Sequence, residues 1–88
     1  MTTIINANNT GIVETADTSG ILQFQTGGTA AITIGTDQNV TFNSTGAITV
    51  PVGTTAQRPA SPVNGMMRYN TTTAHLEGYV AGAWTNIG

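Results

Sequence analysis

The sequence contains no cysteine and no lysine, and only 7% of its residues are charged. Without cysteine, neither a disulfide nor a thiolate metal site can stabilise the chain. Arginine and lysine together number two against four acidic residues, which gives a net charge of −2. Proteins neutralise nucleic-acid phosphates and anionic membrane surfaces with basic patches, which this chain cannot build. We therefore expect neither a nucleic acid nor a membrane among its partners.

Long apolar runs are also missing. No run approaches the roughly 20 residues that cross a bilayer as a helix. The first residues, MTTIINANNT, lack the basic and apolar regions of a signal peptide. We expect the protein either to remain in the cytoplasm where it is made or to leave as part of a particle.

Large side chains for a core are few. The 88 residues include two Phe, two Tyr and one Trp, and 39% are hydrophobic. A lone domain of about this size buries only about 60% of its unfolded surface. We expect one chain to be unstable alone and to complete its core with other copies.

The residues that are abundant, threonine above all, favour strands over helices. Short apolar runs alternate with turn signals from Gly11 to Val52. In the second run, Leu22 and Phe24 point one way and the glutamines between them the other, which is typical of a half-buried strand. The candidate strands of this segment are Ile12–Val13, Ile21–Thr26, Ala30–Ile34, Val40–Phe42 and Ile48–Val52.

Beyond Pro59, Pro62 and Gly65, three further candidate strands form what we call the C-terminal knob. Ala81-Gly82 is a two-residue link of the kind found in hairpins. The strands are Met66–Tyr69, Leu76–Val80 and Ala83–Ile87.

The predicted fold is all-β, with short strands in an intertwined homotrimer and a small antiparallel C-terminal knob. We divide the chain into an anchoring arm at 1–10, a strand-rich trimerising segment at 11–52 and the knob at 53–88. Ile4 and Ile5 would let the arm add a strand to a neighbour's exposed edge. The alternative for the arm is a frayed terminus.

The C-terminal part resembles a known family. The run TAQRPASPVNGMMRYNTTTAHLEGYVAGAWTNI resembles a C-terminal module that is widespread in tail-fibre and other virion-surface proteins of tailed bacteriophages. GILQFQTGGTAAITIGTDQNVTF is similar to β-rich segments of marine-phage and cyanophage fibre-like proteins. The most specific matches are Gln57-Arg58-Pro59, Arg68-Tyr69-Asn70, Glu77-Gly78-Tyr79 and Gly82-Ala83-Trp84.

The resemblance implies a homotrimeric, non-enzymatic part of the virion exterior. Other virion proteins would be its partners, namely the major capsid protein or tail proteins. We expect no long shaft, no adhesin domain and no large adaptor before the β segment, and in this the chain departs from tail fibres. We therefore expect capsid decoration, with a short tail fibre or fibre tip as the alternative. A carbohydrate-binding β module that meets a host-surface glycan is a further alternative.

The two arginines are the first candidate site residues. Arg58 and Arg68 share the knob with Glu77, and an Arg–Glu pair between strands or between subunits would fix their register. The alternative is an arginine that binds a receptor.

The aromatic residues Tyr69, Tyr79 and Trp84 are the second candidates. We expect them to pack in the knob or at an interface. An exposed platform for a sugar is the alternative.

No cofactor, metal site or catalytic centre is predicted. His75 is the single histidine and is expected in the turn after Asn70, where it could meet its copies on a three-fold axis. Asp17, Asp37 and Asn39 lie in glycine-rich turns and lack the carboxylate spacing of a calcium loop, so Asx-turns are expected. Glu14 and Glu77 lie in different regions, and no nucleophile–base motif is present, so we do not expect an enzyme.

Overall fold

The structure is a computed structural model that describes residues 4–5 and 18–88. The chain divides into two compact units, Met1–Gly46 and Ala47–Gly88. The described residues form seven strands in two sheets and one short 3-10 turn, which confirms the all-β prediction. The predicted boundary between 52 and 53 lies six residues after the division between the units.

The first unit contains a three-stranded antiparallel sheet, the N-terminal sheet. Its strands are β1 at Leu22–Thr26, β2 at Thr29–Ile34 and β3 at Val40–Phe42, in that order. Gly27 and Gly28 join β1 to β2 with φ angles of 57° and 79°. Two successive positive φ angles are the requirement of the tightest hairpin turns, and glycine meets it without steric cost.

One side of the N-terminal sheet, its apolar face, carries large apolar side chains from all three strands. Leu22 pairs with Ile34 and Phe24 with Ile32 across β1 and β2, and β3 adds two more across β2. Directly paired residues lie on the same side of a sheet, so the apolar positions coincide. The face comprises Leu22, Phe24, Ile32, Ile34, Val40 and Phe42.

The other side of this sheet is polar. The Gln25 side-chain amide donates to Gln23 Oε1 over 3.1 Å, and Gln23 donates in turn to Thr33 Oγ1 over 3.4 Å. The Thr33 hydroxyl donates to Asn43 Oδ1 over 2.8 Å. These contacts agree with the alternation predicted for the strand that contains Leu22 and Phe24.

The second unit contains a four-stranded sheet, the C-terminal sheet, in the order β4-β5-β6-β7. Its strands are β4 at Val52–Gly53, β5 at Met67–Asn70, β6 at His75–Val80 and β7 at Ala83–Asn86, and a 3-10 turn spans Thr55–Gln57. The three strands predicted for the knob are confirmed to within a residue or two. These three strands pair antiparallel, as predicted, and β4 adds a short parallel pairing with β5 that was not predicted.

The two sides of the C-terminal sheet differ in chemistry. Arg68 pairs with Glu77 and Tyr79 with Trp84, which places these four side chains on one side, the front face. Intervening positions lie on the other side, the back face, where apolar residues gather. The back face comprises Val52, Met67, Tyr69, Leu76, Val80 and Ile87.

Two other strand predictions have different outcomes. The strand predicted at Ile48–Val52 is wrong, because only Val52 belongs to a strand and residues 47–51 form no regular structure. Apolar residues occupy alternate positions in this segment, but residues 47–51 belong to no strand. Ile12–Val13 lies outside the described residues, as do Glu14, Asp17 and most of the predicted arm.

No apolar side chain is buried within the described part of the chain. The only buried polar or charged residues there are Arg68, Asn70 and Glu77. Apolar residues usually supply the buried positions, and arginine and glutamate are almost never fully buried unless they are paired, as they are here. The polar cluster on the front face is therefore what the second unit is built around.

The hairpin between β6 and β7 generates a stability prediction. Ala81 and Gly82 form its two-residue turn with φ angles of 51° and 82°. A left-handed conformation costs most L-residues roughly 1–2 kcal/mol, and asparagine tolerates it better than alanine. We expect Ala81→Asn to stabilise the protein by about 1 kcal/mol, measured as a rise in the midpoint of urea unfolding.

Ala60→Asn provides the matched control for this change. Ala60 is also exposed, and its φ angle is not positive. The same substitution there should leave the midpoint nearly unchanged. An equal gain at both positions would show that turn strain is not the cause.

Candidate functional site: the Glu77 network and its aromatic pair

Glu77 lies at the centre of the front face, and its carboxylate accepts four hydrogen bonds. Arg58 donates through Nε to Oε2 over 3.0 Å and through Nη2 to Oε1 over 2.7 Å. Arg68 donates through Nη1 to Oε2 over 2.7 Å, and Asn70 Nδ2 donates to Oε1 over 3.1 Å. The two-point contact with Arg58 is the strongest geometry available to a carboxylate and a guanidinium.

Strand register positions these partners. Arg68 lies directly across from Glu77 on adjacent antiparallel strands. Asn70 is two residues further along β5 and therefore on the same side. Arg58 approaches from the segment that follows the 3-10 turn. The network therefore joins β5, β6 and the covering segment that runs from Thr54 to Arg58.

Backbone contacts hold the covering segment above the front face. Arg68 Nη2 donates to the Thr54 carbonyl oxygen over 2.9 Å. The Thr54 N–H donates to Gln57 Oε1 over 2.8 Å, which closes the short turn. The Thr55 N–H donates to Thr72 Oγ1 over 3.2 Å. Buried polar groups thus have partners, as a low-dielectric site requires.

Asn70 links the network to the turn between β5 and β6. Its Oδ1 accepts from the N–H groups of Thr72 and Thr73 over 2.9 and 3.3 Å. Its Nδ2 donates to Thr55 Oγ1 over 2.9 Å as well as to Glu77. One buried amide therefore fixes a turn, a carboxylate and the covering segment together.

Gly53 allows the network to close. A Cβ atom at this position would lie 2.6 Å from Arg68 Nη2 and 2.8 Å from Gln57 Oε1. Both distances are shorter than real contacts of a Cβ atom. A side chain at Gly53 would therefore force the end of the Arg68 side chain and the Gln57 side chain to shift.

The arginines lower the pKa of the Glu77 carboxyl group. Hydrogen bonding from Arg58 is the largest cause, burial opposes it, and hydrogen bonds from Arg68 and Asn70 add to it, so that the pKa falls from its ordinary 4.5 to about 2. The same pairing raises the pKa of Arg58. Glu77 therefore stays ionised near neutral pH and is engaged by its four donors.

Trp84 lies beneath the Arg58 guanidinium. The Arg58 Cζ is 5.4 Å from the centre of the Trp84 ring, which is a cation–π distance. Tyr79 meets Trp84 edge to face, with ring centres 5.3 Å apart and an angle of 71° between planes. Arg58 is therefore placed between a carboxylate and an indole, and both restrict its position.

The predicted site residues fall into separate groups. The predicted pairing of Glu77 with arginine is present within one chain and involves both arginines. Tyr79 and Trp84 are in contact, but Tyr69 pairs with Leu76 on the back face. The three aromatic residues therefore do not form one platform.

The remaining predicted positions lie away from the network. His75 is the first residue of β6 rather than part of the preceding turn, and its Nδ1 is 3.3 Å from the Gly88 carbonyl oxygen. Ile4 and Ile5 are strongly exposed. Asp37 accepts from the Asn39 N–H over 3.1 Å, which confirms the Asx-turn predicted there.

Sequence reasoning did not identify Asn70, Gly53 or the Thr54 to Gln57 turn as parts of the site. The spacing of Arg68 and Asn70 at alternate positions of a strand was an available signal. Gly53 gave none, because its importance comes from an arginine 15 positions later.

Comparison of the chain with protein-family models, curated proteins and solved structures found no match. Within residues 4–5 and 18–88, no helix is long and apolar enough to cross a membrane. The same residues contain no group of three or more His, Cys, Asp or Glu side chains placed to hold a metal ion.

The network predicts a defined loss of stability in acid. Because the pKa of Glu77 is depressed in the folded state, its stabilising contribution is complete above the ordinary value of 4.5 and is lost as the pH falls through about 2. We expect the melting temperature of the second unit to decline between these two pH values. The fluorescence of Trp84, the only tryptophan, reports on this unit.

Glu77→Gln tests this assignment. The variant leaves two guanidinium groups without their carboxylate, so it should melt at a lower temperature at pH 7 and lose most of the decline in acid. Asp37→Asn, which removes an exposed carboxylate in the other unit, is the control and should retain the decline. A Glu77→Gln variant with the wild-type acid profile would contradict the assignment.

Proposed function

We propose that this chain is a non-enzymatic structural protein on the exterior of a tailed-phage particle, where it assembles as a homotrimer. The apolar face of the N-terminal sheet is the observation that carries the proposal. We favour a role in capsid decoration over a role as a short tail fibre, because the described strands form two small sheets rather than a repeated shaft.

The apolar face is large for an exposed surface of a small unit. Leu22, Phe24, Val40 and Phe42 are between 45% and 52% exposed. The six residues of the face carry no charge, and the polar ladder of Gln23, Gln25 and Thr33 occupies the opposite side. Contiguous apolar surface of this kind marks an interaction site in soluble proteins.

Copies of the same chain are the occupants that we propose for the face. Each sheet is short and contributes one thin apolar layer, so three layers around an axis can enclose an interior that one layer cannot. The polar ladders would then face water. A three-fold arrangement also agrees with the resemblance to homotrimeric virion proteins.

The front face of the C-terminal sheet supports a structural role for the aromatic residues. Arg58 lies over the Trp84 ring and Tyr79 meets it edge to face. A sugar that stacked on the same face of the Trp84 ring would compete with Arg58 for the indole. This geometry favours the structural protein over the carbohydrate-binding module.

Light scattering coupled to size exclusion tests the assembly. We expect the full chain to have three times the 9.0 kDa mass of one chain. Phe42→Glu places a charge on the apolar face, and we expect it to yield monomers or unfolded chain because the charge would lose its hydration. Thr41→Glu, on the polar side of the same strand, should leave the trimer intact.

A folded wild-type monomer at micromolar concentration would overturn the assembly. The trimer would also be wrong if Phe42→Glu and Thr41→Glu behaved alike.

Quantitative mass spectrometry of purified virions tests the location. Hundreds of copies per particle are expected for a capsid lattice, because a decoration trimer repeats across the shell. A few dozen copies or fewer would assign the chain to the tail instead. Absence from the particle would overturn the virion role.

A further inference from the structure

The back face of the C-terminal sheet is a second exposed apolar surface. Val52, Met67, Val80 and Ile87 are between 49% and 59% exposed. Tyr69 and Leu76 lie between them and are half-buried. A single face thus presents six apolar side chains on the side of the sheet that the covering segment leaves open.

The back face has a shaped centre rather than a flat surface. Gly78 has no side chain, and Ile87 occupies the space above it, since a Cβ atom there would lie 2.6 Å from Ile87 Cδ1. Beside this contact, Met67, Gly78, Val80 and Ile87 help to line a cleft of about 360 Å³. Methionine adapts its shape readily, so such a surface can fit against another apolar layer.

The back face carries no charged side chain by which a different protein could be recognised. Every formally charged side chain of residues 47–88 belongs to the network on the front face, namely Arg58, Arg68 and Glu77. Two copies of the back face can therefore meet without repulsion between like charges. A protein of different sequence would find no ionic group on this face to recognise.

The area of the back face indicates whether it could hold a freely diffusing molecule or only a neighbour that is already attached nearby. Stable interfaces bury about 800 Å² on each partner, and six half-exposed side chains supply roughly half of that. The back face is therefore too small to hold a free molecule firmly. A neighbour that is already held nearby needs much less contact, because tethering raises its effective concentration to about the millimolar range.

We propose that the back faces of the C-terminal sheets pack against one another within the trimer. The proposal rests on the proposed trimer, whose N-terminal sheets would supply the tether through residues 43–51, a segment without strands. The ionic network would then stabilise each second unit internally, and the back faces would join the second units of different chains.

Cysteine cross-linking tests the proposal, because the chain has no cysteine of its own. Val80→Cys places a single thiol on the back face, and Thr73→Cys places one in the exposed turn between β5 and β6. Each full-length variant is treated with oxidised glutathione. The protein is kept dilute enough that disulfides form within a trimer rather than between trimers. We expect disulfide-linked dimers to form at least ten times faster in Val80→Cys than in Thr73→Cys.

A second variant separates packing from simple proximity. Met67→Glu, combined with Val80→Cys, should lower the cross-linking rate to that of Thr73→Cys while light scattering still reports a trimer. Equal cross-linking rates for Val80→Cys and Thr73→Cys in an intact trimer would overturn the back-face contact and leave the proposed trimer standing. A monomeric mass for the wild-type chain would overturn both.

Discussion

The second unit depends on one carboxylate that is shared between two guanidinium groups. Glu77 is out of contact with water and is bonded to Arg58, Arg68 and Asn70. Removing charges from water is costly, and full hydrogen bonding is needed to offset it. Because hydrogen bonds are directional, this network fits one register of β5 and β6 and one position of the covering segment.

This placement of charge determines where apolar surface remains. In most small domains the sheet turns its apolar side toward a covering element. Here the covering segment meets the ionic side, so the apolar back face is left exposed. The N-terminal sheet reaches the same condition more simply, because strict alternation along three short strands separates glutamine and threonine from leucine, isoleucine and phenylalanine. Both sheets thus carry hydrogen-bonded polar side chains on one face and leave the other, apolar face exposed.

Most strands could be predicted because they have a visible period or a clear turn. Alternation around Leu22 and Phe24, the Gly27-Gly28 pair and the Ala81-Gly82 link each depend on neighbouring residues alone. β4 could not be predicted, since two residues carry no period and its parallel pairing with β5 depends on contacts 17 positions apart. The same reason explains the false strand at Ile48–Val52, where the alternation is good but only Val52 pairs with a neighbouring strand. The Arg–Glu pairing was predictable because the knob holds so few charges, whereas Asn70 and Gly53 acquire their roles only through the folded geometry.

The ionic contacts lie within the chain, whereas the exposed faces are apolar, and this difference affects how assembly would respond to salt. Ion pairs between subunits respond to salt, because exposed charges are screened over about 10 Å at ordinary ionic strength. The charges of residues 47–88 are used within the chain, and neither exposed face carries one. Contacts between chains through these faces would therefore depend on the hydrophobic effect, which is little affected by screening and is strengthened by kosmotropic salts. Assembly through these faces would therefore tolerate changes in salt concentration, while the Glu77 network would keep the strands of the second unit in register.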